Sequence, residues 1–383
     1  KSHVQTDAIG KYIGKGLLTN TGASWLRQRR LIQPGFHRDR LQALTQIMQA
    51  VIDEQLDQLA AVAKAQSEQP VDIFAWTTRM AFQIIAKAIY SEDINEAEMD
   101  RFGELVTLIQ EHAILEVRLP FLRWYFKLSG KRKRIMGYTN ELRDLQRRLL
   151  QKRRQSGQQR DDLLQMLLDA RYEDTGEPME DDQLIDEALI LFVAGHETSA
   201  NALAWTLYLL EQHPEELTKV RTELDQVLAG QAATFEQLRA LPQLTQAIQE
   251  SMRLYPPAWI TDRVALTTDH LDDFDIPEQT MTILFVYGIH RNPKYWEEPE
   301  AFRPARFAPA AAKERHNYAY LPFGGGPRQC IGNSFAMMEM QLVLSAWIKR
   351  FSYRLPPETT VSSKALVTLR PQDGIPMYLH ENE

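Results

Sequence analysis

Apolar residues recur at helical spacing along most of the chain. Between residues 39 and 66, Leu41, Leu44, Ile47, Met48, Val51, Ile52, Leu56 and Leu59 form one stripe, the period of a helix that buries a single face. The same pattern predicts helices over 71–90, with Asp72 suited to the N-cap, and over 97–118. Further helices are predicted up to about residue 154, over 162–171, over Pro214–Leu228, and from Pro242 to the stop at Tyr255-Pro256-Pro257. A helix carrying Trp25, Arg29 and Ile32 follows a glycine-punctuated, poorly periodic start over residues 1–22.

The longest periodic segment is Asp181–Gln212, which at 1.5 Å per residue spans roughly 50 Å. It is apolar on most sides, as a buried central helix must be. In its middle stands Ala194-Gly195-His196-Glu197-Thr198. A glycine, a charge and a hydroxyl are unfavourable in a buried helix, so something must compensate. One reading is a kink satisfied by local hydrogen bonds. A zinc site of the HExxH type fails, because position 200 is Ala.

Residues 259–288 change character. Val264-Ala265-Leu266, Asp275-Ile276-Pro277 and 281–287 predict short strands, and 352–383 predict terminal strands and loops. The expectation is a mainly α protein with a small β region.

The chain of 383 residues has a net charge of −7, which argues against nucleic acid as the main partner. A single cysteine excludes an internal disulfide framework and fits a reducing, cytoplasmic compartment. No run is apolar and long enough to cross a membrane. The chain starts at Lys1 without a Met, so an N-terminal piece is expected to be missing, which leaves membrane association open. Residues 121–126 are aromatic-rich and precede Lys131-Arg132-Lys133-Arg134. That basic run reads first as a solvated helix face, and otherwise as a contact for an acidic redox partner or a membrane surface.

The one cysteine, Cys330, lies in Phe323 to Gly332, FGGGPRQCIG. Gly324 to Gly326 allow backbone conformations closed to other residues, and Pro327 fixes one φ. From Asn333 the pattern turns helical. Cys330 therefore precedes a helix N-terminus, where the dipole and free N–H groups favour a thiolate. By itself such a cysteine is more often an inert thiol in a turn. As a ligand it suits a metal that takes one thiolate from the protein and its equatorial ligands from a cofactor, as haem iron does.

FGGGPRQCIG resembles the FxxGxRxCxG signature of the cytochrome P450 haem-thiolate enzymes at every fixed position. Three further motifs follow the family's order. AGHET resembles its [AG]Gx[DE]T motif, Glu250-x-x-Arg253 its buried ExxR pair, and the segment around Arg306 its PERF element, with Ala305 where the family usually has an acid. Trp25 and Arg29, neighbours on one helix face, resemble the early WxxxR. The resemblance implies one P450-like domain over residues 1–383, lacking the usual N-terminal segment, with the long central helix over the haem.

It further implies haem b (iron protoporphyrin IX) with Cys330 as the metal ligand. Phe323, Gly324, Ile331 and Gly332 belong to the cofactor-binding loop. Trp25, Arg29, Arg263, His290 and Arg328 are expected at the propionates, and Ala194 and Gly195 over the iron. Glu197 and Thr198 are expected to act catalytically in proton delivery to dioxygen, and Glu250, Arg253 and Arg306 to be structural. The activity implied is monooxygenation of an apolar substrate, fatty-acid-like, terpenoid or steroid. Two electrons would come from NAD(P)H through a separate ferredoxin, flavodoxin or flavin reductase, an acidic partner drawn to Lys349 and Arg350. Residues 74–82, 108–126, 190–193 and 258–260 are expected to line the pocket, with Trp124, Phe192 and Trp259 as walls. The alternatives are a peroxide-dependent peroxygenase and a non-enzymatic haem sensor or electron carrier.

Overall fold

The computed structural model describes residues 9–66, 68–91 and 94–382, so the first eight residues of the glycine-punctuated start lie outside the described residues. Fourteen helices follow one another among the described residues. They are α1 (Gly10–Ile13), α2 (Gly22–Ile32), α3 (Arg38–Ala65), α4 (Ile73–Tyr90), α5 (Glu96–Arg118), α6 (Arg123–Leu128) and α7 (Lys131–Ser156). Then come α8 (Leu163–Asp169), α9 (Asp181–Gln212), α10 (Pro214–Leu228), α11 (Pro242–Leu254), α12 (Val286–Ile289), α13 (Pro309–Glu314) and α14 (Asn333–Arg350). The strands are β1 (Val71–Asp72), β2 (Thr261–Val264), β3 (Asp269–Leu271), β4 (Phe274–Ile276), β5 (Met281–Leu284), β6 (Phe351–Arg354), β7 (Ser363–Ala365), β8 (Leu369–Pro371) and β9 (Pro376–Glu381). The mainly α expectation with a small β region holds.

Local chemistry sets several boundaries. The Asn95 side chain accepts from the Glu98 N–H while the Glu98 carboxylate accepts from the Asn95 N–H, a reciprocal cap that starts α5. Proline at the first position opens α10 and α11, where the missing N–H costs nothing. The helix expected over 71–90 starts two residues late. Val71 and Asp72 instead pair with Met377 and Pro376 of β9. The Asp72 carboxylate still caps α4, accepting from the Phe74 N–H at 2.9 Å, and also accepts from the Ile375 N–H at 2.9 Å. The strand expected at 264–266 ends at Val264, leaving Leu266 83% exposed, and the 281–287 strand ends at Leu284 before the turn of α12.

The chain divides into two compact units, each assembled from separated stretches. The first takes residues up to Arg40, Ile85–Ala194 and Thr261–Leu284. Its interior includes Tyr90, Phe102, Leu145, Leu149 and Phe192, all buried. Arg153, also buried, donates to both oxygens of Asp162, at 2.8 and 2.5 Å, and to the Tyr90 carbonyl. The antiparallel pairs β2–β5 and β3–β4 belong to this unit.

The second unit takes Leu41–Ile84, Gly195–Ile260 and Phe285–Glu383. Helices α10, α11 and α14 pack together in it. Its sheet runs β1-β9-β6, with Phe351 opposite Glu381 at one end of the β6–β9 pairing. Buried Trp205 stacks on Tyr255, ring centroids 3.8 Å apart.

Candidate functional site

The second unit carries the cysteine loop. Gly324 (φ +71°) and Gly326 (φ +68°) adopt left-handed backbone that residues with a Cβ rarely reach, whereas Gly325 is extended. The Cys330 N–H donates to the Phe323 carbonyl at 2.9 Å, closing the loop across its own base. Three residues later α14 begins, with the Ala336 N–H on the Gly332 carbonyl at 2.8 Å. Phe323, Arg328, Ile331 and Gly332 are half-buried, Gly324 is exposed, and so is Cys330 itself.

The central helix α9 is buried over most of its length but opens in the middle. Ala194 is exposed, and Val193, Gly195, Glu197 and Thr198 are half-buried, between the fully buried runs that end at Phe192 and resume at Ser199. This opening coincides with the residues that are hardest to justify by packing. Glu197 Oε1 accepts from the Thr368 hydroxyl at 2.7 Å, and that hydroxyl accepts from Asn201 Nδ2 at 3.0 Å. The amide therefore fixes which way Thr368 points its proton. His196 is buried, edge-on to Phe82 at 5.8 Å.

The second unit also holds a buried ionic cluster. Arg253 donates from Nε and one terminal nitrogen to the two oxygens of Glu250, at 2.7 and 2.8 Å. Its remaining N–H groups reach the carbonyls of His290 (3.0 Å), Pro299 (2.6 Å) and Ala301 (3.0 Å). All five guanidinium donors thus have acceptors. Glu250 also accepts from the Arg303 N–H at 2.9 Å and has Arg306 Nε at 3.3 Å. The structure so brings Glu250, Arg253 and Arg306 together without the acid that Ala305 replaces.

His290 is fully buried, with Nε2 accepting from the Leu321 N–H at 2.7 Å. Burial pushes its imidazole down to about 3, so it is neutral and ties the segment entering the cysteine loop. The first unit holds Trp25, buried, and Arg29, whose Nε donates to Gln33 Oε1 at 3.1 Å. Arg263 lies there too and donates to the Asp262 carbonyl at 2.6 Å.

Several expectations need correction. Trp124 is 62% exposed, and Phe126 is instead the aromatic that turns inward from α6, edge-on to His112 at 5.4 Å. Phe192 is sealed against Phe102 at 4.1 Å. Trp259, by contrast, is half-buried, with its Nε1 donating to the Leu366 carbonyl at 3.1 Å. Arg350 is paired with Asp57 (2.6 Å) and Glu381 (2.8 Å), whereas Lys349 donates to the neutral Gln231 carbonyl, so of this pair only Arg350 has its charge balanced by acids.

Sequence reasoning missed Glu339, on α14. It is fully buried, with Oε2 accepting from the Ser199 hydroxyl at 2.6 Å and Oε1 meeting no hydrogen-bond partner among the described residues. Burial pushes its carboxyl up to about 8, against the pull of Ser199. A Glu amid Met338 and Met340 on a helix that is apolar nearly all round was the available signal. Asn201 and Thr368 were missed as well, and no spacing pattern connects them to Glu197.

The donor set can be tested against a haem. No group of three His, Cys, Asp or Glu able to hold a metal occurs among the described residues. Cys330 is thus a lone soft donor, suited to an iron whose other ligands come with a macrocycle. An ideal Cβ built on Gly324 or Gly326 meets nothing within 4 Å, so the loop surface is open. The residues fit the group. The family model for cytochrome P450 matches residues 2–375. A cyclooctat-9-en-7-ol 5-monooxygenase of Streptomyces melanosporofaciens is 33% identical over 93% of this chain and 76% of its own length. An echinocystic acid 23-monooxygenase of Saponaria officinalis is 30% identical over 97% of this chain and 74% of its own. The fold matches the crystal structure of the cytochrome P450DA heme domain with a TM-score of 0.91, at 23% identity over 100% of this chain and 84% of that one. The chain belongs to the cytochrome P450 family and is a monooxygenase, an oxidoreductase built around haem.

Proposed function

We propose that the protein binds haem b through Cys330 and oxygenates an apolar organic substrate of fatty-acid-like, terpenoid or steroid type. The electrons come from NAD(P)H through a separate ferredoxin, flavodoxin or flavin reductase. The observation that carries this reading is the exposed thiol of Cys330 on a glycine loop closed by its own backbone, directly before a long helix. Cys330 would hold the haem there, and the bound group would supply dioxygen activation and oxygen transfer to the substrate.

The chain's own residues do the rest. Arg328 would pair with a carboxylate of the cofactor, since a buried carboxylate without a cation costs several kcal/mol. Thr198 presents a hydroxyl at the open turn of α9 and orders the water that carries protons. Glu197 feeds that water, and Thr368, oriented by Asn201, holds the carboxylate in place through Oε1. Gly195 keeps the turn free of a side chain. His290, Glu250 and Arg253 keep the cysteine loop and its support in register. Relatives named for cyclooctat-9-en-7-ol and for echinocystic acid support an organic substrate that carries a polar group.

The test follows product, peroxide and NAD(P)H consumption together, with a candidate cyclic substrate and a ferredoxin or flavin reductase. The expected result is product that requires NAD(P)H. In Thr198→Ala, product per NAD(P)H should drop and peroxide rise, with substrate affinity retained. Efficient turnover driven by hydrogen peroxide, with none from NAD(P)H and any partner, would replace this reading with a peroxygenase.

A further inference from the structure

Two neighbouring acids on α9, neither of them used in the reaction above, hold the segment that follows α1 in the first unit. Asp186 Oδ2 accepts from the Lys15 N–H at 2.8 Å, and Glu187 Oε2 accepts from the Leu17 N–H at 2.9 Å. Gln183, one turn earlier, donates to the Lys15 carbonyl at 2.7 Å and to Glu187 Oε1 at 3.0 Å. Glycines stand where the acids touch this strap. A Cβ on Gly14, which has φ +84°, would collide with the Asp186 carboxylate, and one on Gly16 would come within 2.5 Å of Glu187 Oε2 and 2.9 Å of Ile190. Thr19 ties the strap to itself, donating to the Gly14 carbonyl at 2.7 Å and accepting from the Gly16 N–H at 3.1 Å. Residues 14–19 are therefore one hydrogen-bonded loop laid on α9.

The two acids differ in what balances them. Asp186 pairs with Arg143 of α7. Glu187 is fully buried and makes no ion pair among the described residues. The other charged groups on the elements around it are Lys15, exposed on the strap, and Asp182, one turn earlier on α9, which pairs with Arg147 and Arg143 of α7. A buried carboxyl whose donors are one backbone N–H and one neutral amide favours its protonated form. Burial pushes Glu187 up to about 7, the Leu17 and Gln183 donors pull against it, and the Asp186 charge adds to it. The strap lies directly over this carboxyl, so water reaches an ionised Glu187 when the strap lifts.

We infer that Glu187 is a proton-controlled clasp: protonated, it holds the strap over residues 14–19 on α9, and ionised, it releases the strap to water. With the strap lifted and the carboxyl hydrated, its value returns to the ordinary 4.5. Between 4.5 and about 7 the lifted form has released the proton that the closed form keeps. Closure is therefore fully favoured below that window, weakens as the pH rises through it, and is constant above it. Gly16 packs on Ile190, the first residue of the stretch 190–193 expected to line the pocket, so a lifted strap uncovers that part of α9.

The test is amide hydrogen exchange of the haem-loaded full chain between pH 5 and pH 8, with each rate corrected for its intrinsic pH dependence. The Leu17 amide and its neighbours in the strap should open roughly tenfold more often for each pH unit up to about 7, and level off above. Glu187→Gln keeps an acceptor for the Leu17 N–H and cannot ionise. Its strap should open equally often at pH 5 and pH 8, with haem absorbance unchanged and the wild-type melting temperature at pH 5. Wild-type strap amides whose opening does not change between pH 5 and pH 7 would overturn the inference. So would the same rise in Glu187→Gln, which would assign it to another group. Strap amides that open no more often than the buried amides of α9 would mean that only global unfolding uncovers Glu187, and would overturn it as well.

Discussion

Two carboxyl groups in the second unit are equally hidden from solvent and live under opposite conditions. Glu250 is surrounded by donors, with Arg253 at two positions, Arg306 nearby and the Arg303 N–H. Glu339 has one hydroxyl, from Ser199, on one oxygen. The first sits among guanidinium groups and a backbone N–H. The second is pushed up to about 8 by burial and holds its proton at neutral pH. The difference shows that depth alone does not decide the charge of a buried acid. The number and charge of its donors do.

The comparison breaks most severely if a partner of the charged pair is removed. Arg253→Ala leaves the Glu250 charge without its guanidinium and three carbonyls without a donor. We expect a loss of about 3–5 kcal/mol, seen as failure to recover folded, haem-loaded protein. Glu250→Ala should do the same from the other side. Either variant purified at full haem occupancy and wild-type melting temperature would remove the structural role given to the pair.

Glu339→Gln should have a smaller effect, of the opposite sign at high pH. Its folded value is about 8, against 4.5 for an ordinary carboxyl. Between those values the unfolded chain has released this proton while the folded chain keeps it, so raising the pH favours unfolding. The wild type should therefore lose stability from about pH 5 to pH 8 more steeply than the variant, with a difference on the order of a few kcal/mol at the upper end. Glu187, which burial raises to about 7, leaves a residual slope in both. Melting temperatures measured across this range for both proteins decide the matter, and parallel curves would mean that Glu339 is ionised in the fold.

Ser199→Ala should give the smallest change. It removes the one hydrogen bond to Glu339, costing about 1 kcal/mol near neutral pH. It should also move the steep part of the pH–stability curve upward, because that bond favours the charged form. A curve displaced downward would contradict the donor role of Ser199.

The same contrast explains what could be read from the sequence. Glu250 and Arg253 sit three apart on one helix, so their pairing is local and the spacing carries it. Cys330 is legible because the backbone its loop needs is written in glycines. The whole of α9 is legible from its apolar run, and so are the proline starts of α10 and α11. Glu339 and Ser199 are 140 positions apart, and Thr368 reaches Glu197 from 171 positions away. No periodicity encodes contacts made when separate helices and loops pack. The misplaced starts and ends near residues 71, 266 and 285 share that cause, because strand pairing with distant residues overrides local preference. Trp124 was misjudged because an aromatic run does not say which ring turns inward.

The claim on which the account rests most heavily is that Cys330 is the sole protein ligand of the haem iron. It is tested by the absorbance spectrum of the reduced, carbon-monoxide-treated holoprotein. The account predicts the strongly red-shifted Soret band of thiolate ligation, lost in Cys330→Ser. A Soret band at the position of histidine-ligated haem in the intact wild type, or an unchanged red-shifted band in Cys330→Ser, would contradict it.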